Sequence, residues 1–165
     1  SGTDNVGGAV GDEYNGYNVN NVYAAGSVTA TSGSAGGLVV QLFSGDVSNS
    51  FATGDVDATM YAAALVGKAQ FAGAAGVQID NSYATGSITS STSAYGLVDD
   101  ISSGSMTASY WFNRSGDDEA SCYAAGSGCA EETTLSDFYS SSHPVYATWS
   151  TSIWKWDGER FPSLR

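Results

Sequence analysis

The residues best able to do chemistry are few and widely spaced. The one histidine, His143, stands before a proline in SSHPVY. No Ser–His–Asp order and no second ligand stands near it at a recognisable spacing. It therefore reads as a loop residue with a satisfied hydrogen bond, not as a base or a metal ligand. Asp117, Asp118 and Glu119 in SGDDEAS form the densest acidic run. Hard oxygen donors at that density could hold Ca²⁺, although the run matches neither the EF-hand loop nor the Gly- and Asp-rich nonapeptide calcium repeat. Asp99-Asp100 makes a weaker case of the same kind. Trp111, Trp149, Trp154 and Trp156 could stack on sugar rings if exposed, or could cover an otherwise open end of the fold. Cys122 and Cys129 bracket six residues, two of them glycine, in CYAAGSGC. A disulfide could close that loop, the alternative being two free thiols; a bond there would imply an oxidising compartment.

The elements that must position these groups are written three times. Val19 to Val28 reads VNNVYAAGSV, Val47 to Val56 reads VSNSFATGDV, and Ile79 to Ile88 reads IDNSYATGSI. A degenerate fourth copy, MTASYW, begins at Met106, so successive spacings are 28, 32 and 27 residues. A second element recurs between the copies as Gly37-Leu38-Val39, Ala64-Leu65-Val66-Gly67 and Gly96-Leu97-Val98, and a half-copy, Gly7 to Gly11, precedes the first. The extra residues of the second unit follow Val66, in KAQFAGAAGVQ, which reads as a loop insertion that leaves both anchors in register.

A period near 28 residues with strand-like alternation is too short for a propeller blade and suits one coil of a β-solenoid. The sequence thus predicts an all-β chain. Residues 1–111 form the solenoid, with units starting near 19, 47, 79 and 106, and residues 112–165 form a cysteine-containing loop and an aromatic C-terminal cap. Continuous alternation places Val19, Asn21 and Tyr23 on one face. Tyr23, Phe51, Tyr83 and Tyr110 are then expected to form a buried, inward aromatic column. Asn21, Asn49 and Asn81 are expected to form a second column of coil-to-coil amides, and Gly26, Gly54 and Gly86 to supply corners that need positive φ or close backbone approach. TLSDFY offers a threonine N-cap and a short helix over the last coil, and Trp149, Trp154, Trp156 and Phe161 would close that end.

Bulk composition narrows the partners. Of 165 residues only 13% are charged, yet the net charge is −12, with 17 acidic and 5 basic side chains. Such a surface repels phosphate backbones and anionic lipid, so nucleic acid is a poor partner. No apolar run approaches the roughly 20 residues of a membrane helix. The chain opens SGTDNVGGAV without methionine, and reads as a processed or excised piece.

The repeats also resemble a known family. NSYATGS followed by a GLVG-like segment is similar to the GLUG-motif repeats of bacterial surface proteins, among them large adhesins, filamentous-haemagglutinin-like exoproteins and non-catalytic regions of secreted peptidases. The tail fits the same pattern, with SYW at 109–111, TTLSDFY at 133–139, Trp149, and WKWDGERFPSL at 154–164. The glycine expected after LV is kept only at Gly67, Val40 and Asp99 replacing it elsewhere, and a longer segment with two cysteines follows SYW. The resemblance implies a cell-surface or secreted setting and brings no catalytic residue. The function expected is a structural or adhesive, non-enzymatic module without a required cofactor. Its partners would be neighbouring coils of a longer chain, a second copy stacked end to end, or a surface glycan or protein. The alternatives are a fibre subunit or a carbohydrate-binding module that uses the C-terminal aromatics. A glycan-cleaving enzyme would need a carboxylate cluster across coils. Asp46, Asp55, Asp57 and Asp80 fall in or next to corresponding coils, but where one unit has Asp55 and Asp57 the next has Ser87 and Thr89, so no acidic cluster repeats across coils and a solvated face is the better reading.

Overall fold

The computed structural model describes residues 1–14, 16–69, 76–99, 101, 104–113 and 128–165. A partial coil carries β1 (Val6–Gly7) and β2 (Val10–Glu13). The first repeat forms β3 (Val19–Asn20), β4 (Tyr23–Ala24), β5 (Val28–Ala30), β6 (Ala35–Gly36) and β7 (Val39–Leu42). The second forms β8 (Asp46–Ser48), β9 (Phe51–Ala52), β10 (Val56–Ala58), β11 (Tyr61–Ala63) and β12 (Val66–Ala69). The third forms β13 (Val77–Asp80), β14 (Tyr83–Ala84), β15 (Ile88–Ser90) and β16 (Ser93–Tyr95), and the fourth contributes β17 (Gly104–Thr107) and β18 (Ser109–Phe112). Then come β19 (Cys129–Glu132), helix α1 (Leu135–Tyr139), a 3₁₀ turn at Pro144–Tyr146, and an antiparallel pair, β20 (Trp154–Lys155) with β21 (Ser163–Leu164).

The repeats stack as a β-solenoid with five walls. In order along a coil, the walls are β3-β8-β13-β17, β4-β9-β14-β18-β19, β5-β10-β15, β1-β6-β11-β16 and β2-β7-β12. Neighbours within each wall are parallel, as they must be when the crossover between two strands is the rest of a coil. Equivalent repeat positions pair directly. Val19, Val47, Ile79 and Met106 are successive partners, as are Val28, Val56 and Ile88. With Leu38, Leu65 and Leu97 these aliphatic columns are buried and form the core, each side chain contributing about 1.5–3 kcal/mol by its removal from water. The half-copy joins the stack: β2 pairs with β7, and Val10 lies opposite Val39.

The corners differ from the expectation. Positive φ falls on Asn21 (58°), Asn49 (49°), Asn81 (47°) and Ala108 (46°), the third residue of each copy. Asparagine tolerates this left-handed conformation better than most residues. The chain therefore turns between the first two walls, and alternation does not run through. Val19 points into the core, while Tyr23, four residues later, points out and Ala24 points in. The asparagine amides do not form a ladder of their own: the described amide bond runs from Asn49 to Asn20 Oδ1, at 3.3 Å. Serines do that work one position later. Val22 N–H donates to Ser50 Oγ (3.1 Å), Ser50 N–H to Ser82 Oγ (3.2 Å) and Ser82 N–H to Ser109 Oγ (3.3 Å). Each hydroxyl donates in turn to the carbonyl two residues before it. Of the repeat glycines, Gly54 and Gly86 meet the close-approach alternative without positive φ: a Cβ there would stand 2.1 or 2.0 Å from the carbonyl oxygen of the preceding coil's glycine, whereas a Cβ on Gly26 would meet open space.

At the last coil the inward alanine column Ala24, Ala52, Ala84 ends in Trp111. Three walls have no fourth-coil strand among the described residues, and the indole fills core volume there against Gly96, where a Cβ would lie 2.1 Å from Trp111 Cε3.

Ser82→Ala should therefore destabilise the fold by about 1–3 kcal/mol, because it strands the buried N–H of Ser50. Ser163→Ala, at an exposed position, should stay within about 0.5 kcal/mol. Urea unfolding followed by circular dichroism measures both; equal losses would mean that the serine ladder carries no weight.

Candidate functional site

The aromatic column exists in the expected register but on the outside of the solenoid. Tyr23, Phe51, Tyr83 and Tyr110 are successive partners along the second wall. The rings of Tyr23 and Phe51 stack at 5.1 Å and those of Phe51 and Tyr83 at 4.9 Å, nearly parallel. Small inward residues at 24, 52 and 84 let this wall sit close to the core, and the large rings project from its outer face. Exposure then depends on cover. Tyr23 is 61% exposed, whereas Phe51, Tyr83 and Tyr110 are 8, 1 and 3% exposed. The expectation that Tyr23 is buried is thus corrected: it is the uncovered rung.

The cover is the C-terminal tail: β19 adds to this wall beyond β18, and the residues that follow it pack along the flank of the column. Phe138, Tyr146, Trp149 and Trp154 form one buried cluster with Phe51, Tyr83, Tyr110 and Phe112. Trp154 leans on Phe51 and Tyr83, Phe161 faces Tyr83 at 6.1 Å, and Phe138 meets Phe112 edge-on. Polar contacts fix the position. Tyr83 Oη donates to the Pro162 carbonyl (2.6 Å), Tyr110 Oη to the Val145 carbonyl, and Trp149 Nε1 to the Ala108 carbonyl (2.9 Å). Thr148 Oγ1 donates to Asn81 Oδ1 (2.8 Å). The left-handed corners 81 and 108 thus each offer the tail an outward acceptor. Burial raises the phenol pKa values of Tyr83, Tyr110 and Tyr146, so all three remain donors at neutral pH.

This arrangement removes the tryptophans as sugar platforms. Trp111, Trp149 and Trp154 are buried, and Trp156 packs against the flank cluster. Among the described residues the most exposed rings are instead Tyr14, Tyr17 and Tyr23, with Tyr14 stacked on Phe43 at 4.3 Å. A shallow cleft of about 180 Å³ lies where the tail meets the first coil, lined by Asn21, Ser152, Ile153, Leu164 and Arg165.

The acidic candidates separate into two groups. Asp117, Asp118, Glu119 and Cys122 lie outside the described residues, so the calcium and disulfide expectations that rest on them do as well. Asp57 pairs with Thr29 and Thr89 on its neighbouring coils, so its column holds one carboxylate. Thr134 occupies the N-cap position of α1 but makes no side-chain capping bond. His143 caps the 3₁₀ turn by accepting the Val145 N–H on Nδ1, at 3.4 Å, which fits its reading as a loop residue.

The fold also brings His143 beside two carboxylates that sequence spacing did not join to it. Donor atoms of Glu132, Asp137 and His143 all lie within 4.8 Å of one another, and His143 Nε2 is 4.0 Å from Glu132 Oε1. Burial raises the pKa of Glu132; His143 lowers it and Asp137 raises it further. The sequence signal was present in EETTLSDFYSSSHP, but its spacings match no common ligand motif.

No family model, curated protein or solved structure matches the chain.

Truncating equivalent rungs should separate covered from uncovered aromatics. Tyr83→Ala should cost about 3–5 kcal/mol, as buried aromatic truncations do. Tyr23→Ala should cost no more than about 1.5 kcal/mol, the value of one exposed stack. Chemical denaturation of the two variants is the measurement; equal costs would contradict a tail lying along one flank.

Proposed function

We propose that the chain is a non-catalytic structural or adhesive repeat module of a bacterial extracellular or cell-surface protein. The observation that carries this reading is where the repeated residues go. The aliphatic columns, serine ladder, asparagine corners, close-approach glycines and three of four column aromatics are all spent on joining coil to coil or coil to tail. What the repeat builds is a stiff stack with a surface, and the repeat supplies no reacting group. The solenoid is in keeping with the GLUG-like motifs, whose resemblance supports the surface setting. Within this reading the strands β3 and β4 each have a described partner on one side only, and a further coil, from a longer chain or a second copy, is a fitting neighbour. An oxidising compartment would pair Cys122 with Cys129.

A second reading, glycan binding, is favoured by one observation: Tyr23 presents an exposed ring two residues along the chain from Asn21, which lines a cleft with Ser152 and Arg165. Aromatic faces of this kind stack on sugar rings while flanking polar groups fix orientation.

An array of glycans and extracellular-matrix proteins, probed with the chain, tests both. The module reading expects saturable binding with the ligand recovered chemically intact. Cleaved ligand would overturn it, and glycan binding that Tyr23→Ala abolishes would move the second reading ahead.

The tail's role in this module has its own test. Deleting residues 133–165 should uncover Phe51, Tyr83, Tyr110 and Phe112 together, a contiguous apolar flank. The truncated chain should bind a hydrophobic dye and aggregate, as light scattering would register. A soluble monomer that leaves the dye unbound would mean that the flank does not need this cover.

A further inference from the structure

Glu132, Asp137 and His143 come from three different elements: the last residue of β19, the third residue of α1 and the residue before the 3₁₀ turn. Their donor atoms converge within 4.8 Å, and all three residues are half-buried. Among the described residues neither carboxylate is paired with a lysine or arginine; the ion pair at Glu132 is the one with His143. Two carboxylates drawn together at a partly dry position without a fixed cation repel each other. A dication placed between them reverses that repulsion.

We propose that Glu132, Asp137 and His143 form a binding site for a divalent transition-metal ion, with Zn²⁺ the best fit. One imidazole nitrogen and two carboxylate oxygens are a borderline donor set. It suits zinc better than calcium or magnesium, which prefer oxygen alone. Three protein ligands leave a fourth position for water or for a donor from a partner. The existing geometry needs contraction. Ligand atoms around tetrahedral zinc stand about 3.3 Å apart, against 4.0 Å for His143 Nε2 to Glu132 Oε1. Side-chain rotation of two residues on a turn and a strand end covers that difference. Zinc on Nε2 also places the imidazole proton on Nδ1, which gives up the contact from the Val145 N–H. At 3.4 Å that contact is at the long limit of a hydrogen bond, so little is lost. The ion would tie β19 to α1 and to the turn that carries Val145, whose carbonyl accepts from Tyr110. It would therefore staple the start of the tail to the solenoid.

The chain's single histidine gives an unambiguous probe. Zinc chloride is titrated into the untagged, oxidised, EDTA-stripped chain, and the one imidazole is followed by NMR beside calorimetry. The expected result is 1:1 binding, a zinc-dependent shift of the imidazole signals, and at least a tenfold weaker Kd for His143→Gln, Glu132→Gln and Asp137→Asn. The triple variant D117N/D118N/E119Q should bind as the native chain does. Imidazole signals unmoved at saturating zinc would overturn the proposal, as would a His143→Gln chain that binds zinc as tightly as native. The imidazole readout uses the native sequence, so it decides even if a variant fails to fold.

Discussion

Everything in this fold depends on one constraint: a coil cannot satisfy its own backbone. Two- to four-residue strands make their hydrogen bonds to the coils before and after, and so do the corners between them. Asn49 N–H reaches Asp80 O, Leu38 N–H reaches Leu65 O, and Leu65 N–H reaches Leu97 O. An unpaired amide inside the stack would cost on the order of 1–3 kcal/mol. Equivalent positions must therefore sit directly over one another, and the residues at each position must be those that tolerate direct superposition. Identical aliphatics, a serine that both donates and accepts, a residue able to take positive φ, and a glycine beneath a neighbouring carbonyl are the solutions used.

That constraint also explains which parts of the structure were legible in the sequence. Registers were readable because superposition repeats letters. Val19, Val47 and Ile79, the Leu38–Leu65–Leu97 series and the aromatic column fall where the aligned copies place them. Facing was misread because alternation holds only while the backbone stays extended. A left-handed residue at Asn21 turns the chain, so positions 19 and 23 face opposite ways despite their even separation. The inference from NSYATGS to an inward ring failed at that one dihedral. The small residue after each ring was the available clue: an alanine at 24, 52 and 84 has the size of an inward column, and the ring beside it must then be outside.

The site around His143 was illegible for a different reason. Its three members come together through β19, which pairs in parallel with β18 so that Phe112 lies opposite Glu132. No period announces that strand, since it belongs to no repeat copy. Convergence of Glu132, Asp137 and His143 follows from where the tail folds back, and local spacing carries no trace of it. Contacts written by the repeat can be read from the sequence, while contacts made by a segment that departs from it cannot.

The tail converts a uniform stack into a one-sided one. In the column the hydroxyls of Tyr83 and Tyr110 donate to tail carbonyls, while Phe51 serves under Trp154 without a hydroxyl. Cover stops before Tyr23, which retains the column's stacking geometry but not its shielding. Across the rest of the coil, outward positions such as Thr29, Asp57 and Thr89 are polar, as a solvated wall requires. The second wall is thus apolar where the tail lies on it and open at its first rung. The third wall stays hydrophilic along Thr29, Asp57 and Thr89. A ligand that seeks the stacked aromatic column must approach along the second wall, and the length of the tail determines how much of that column remains for it.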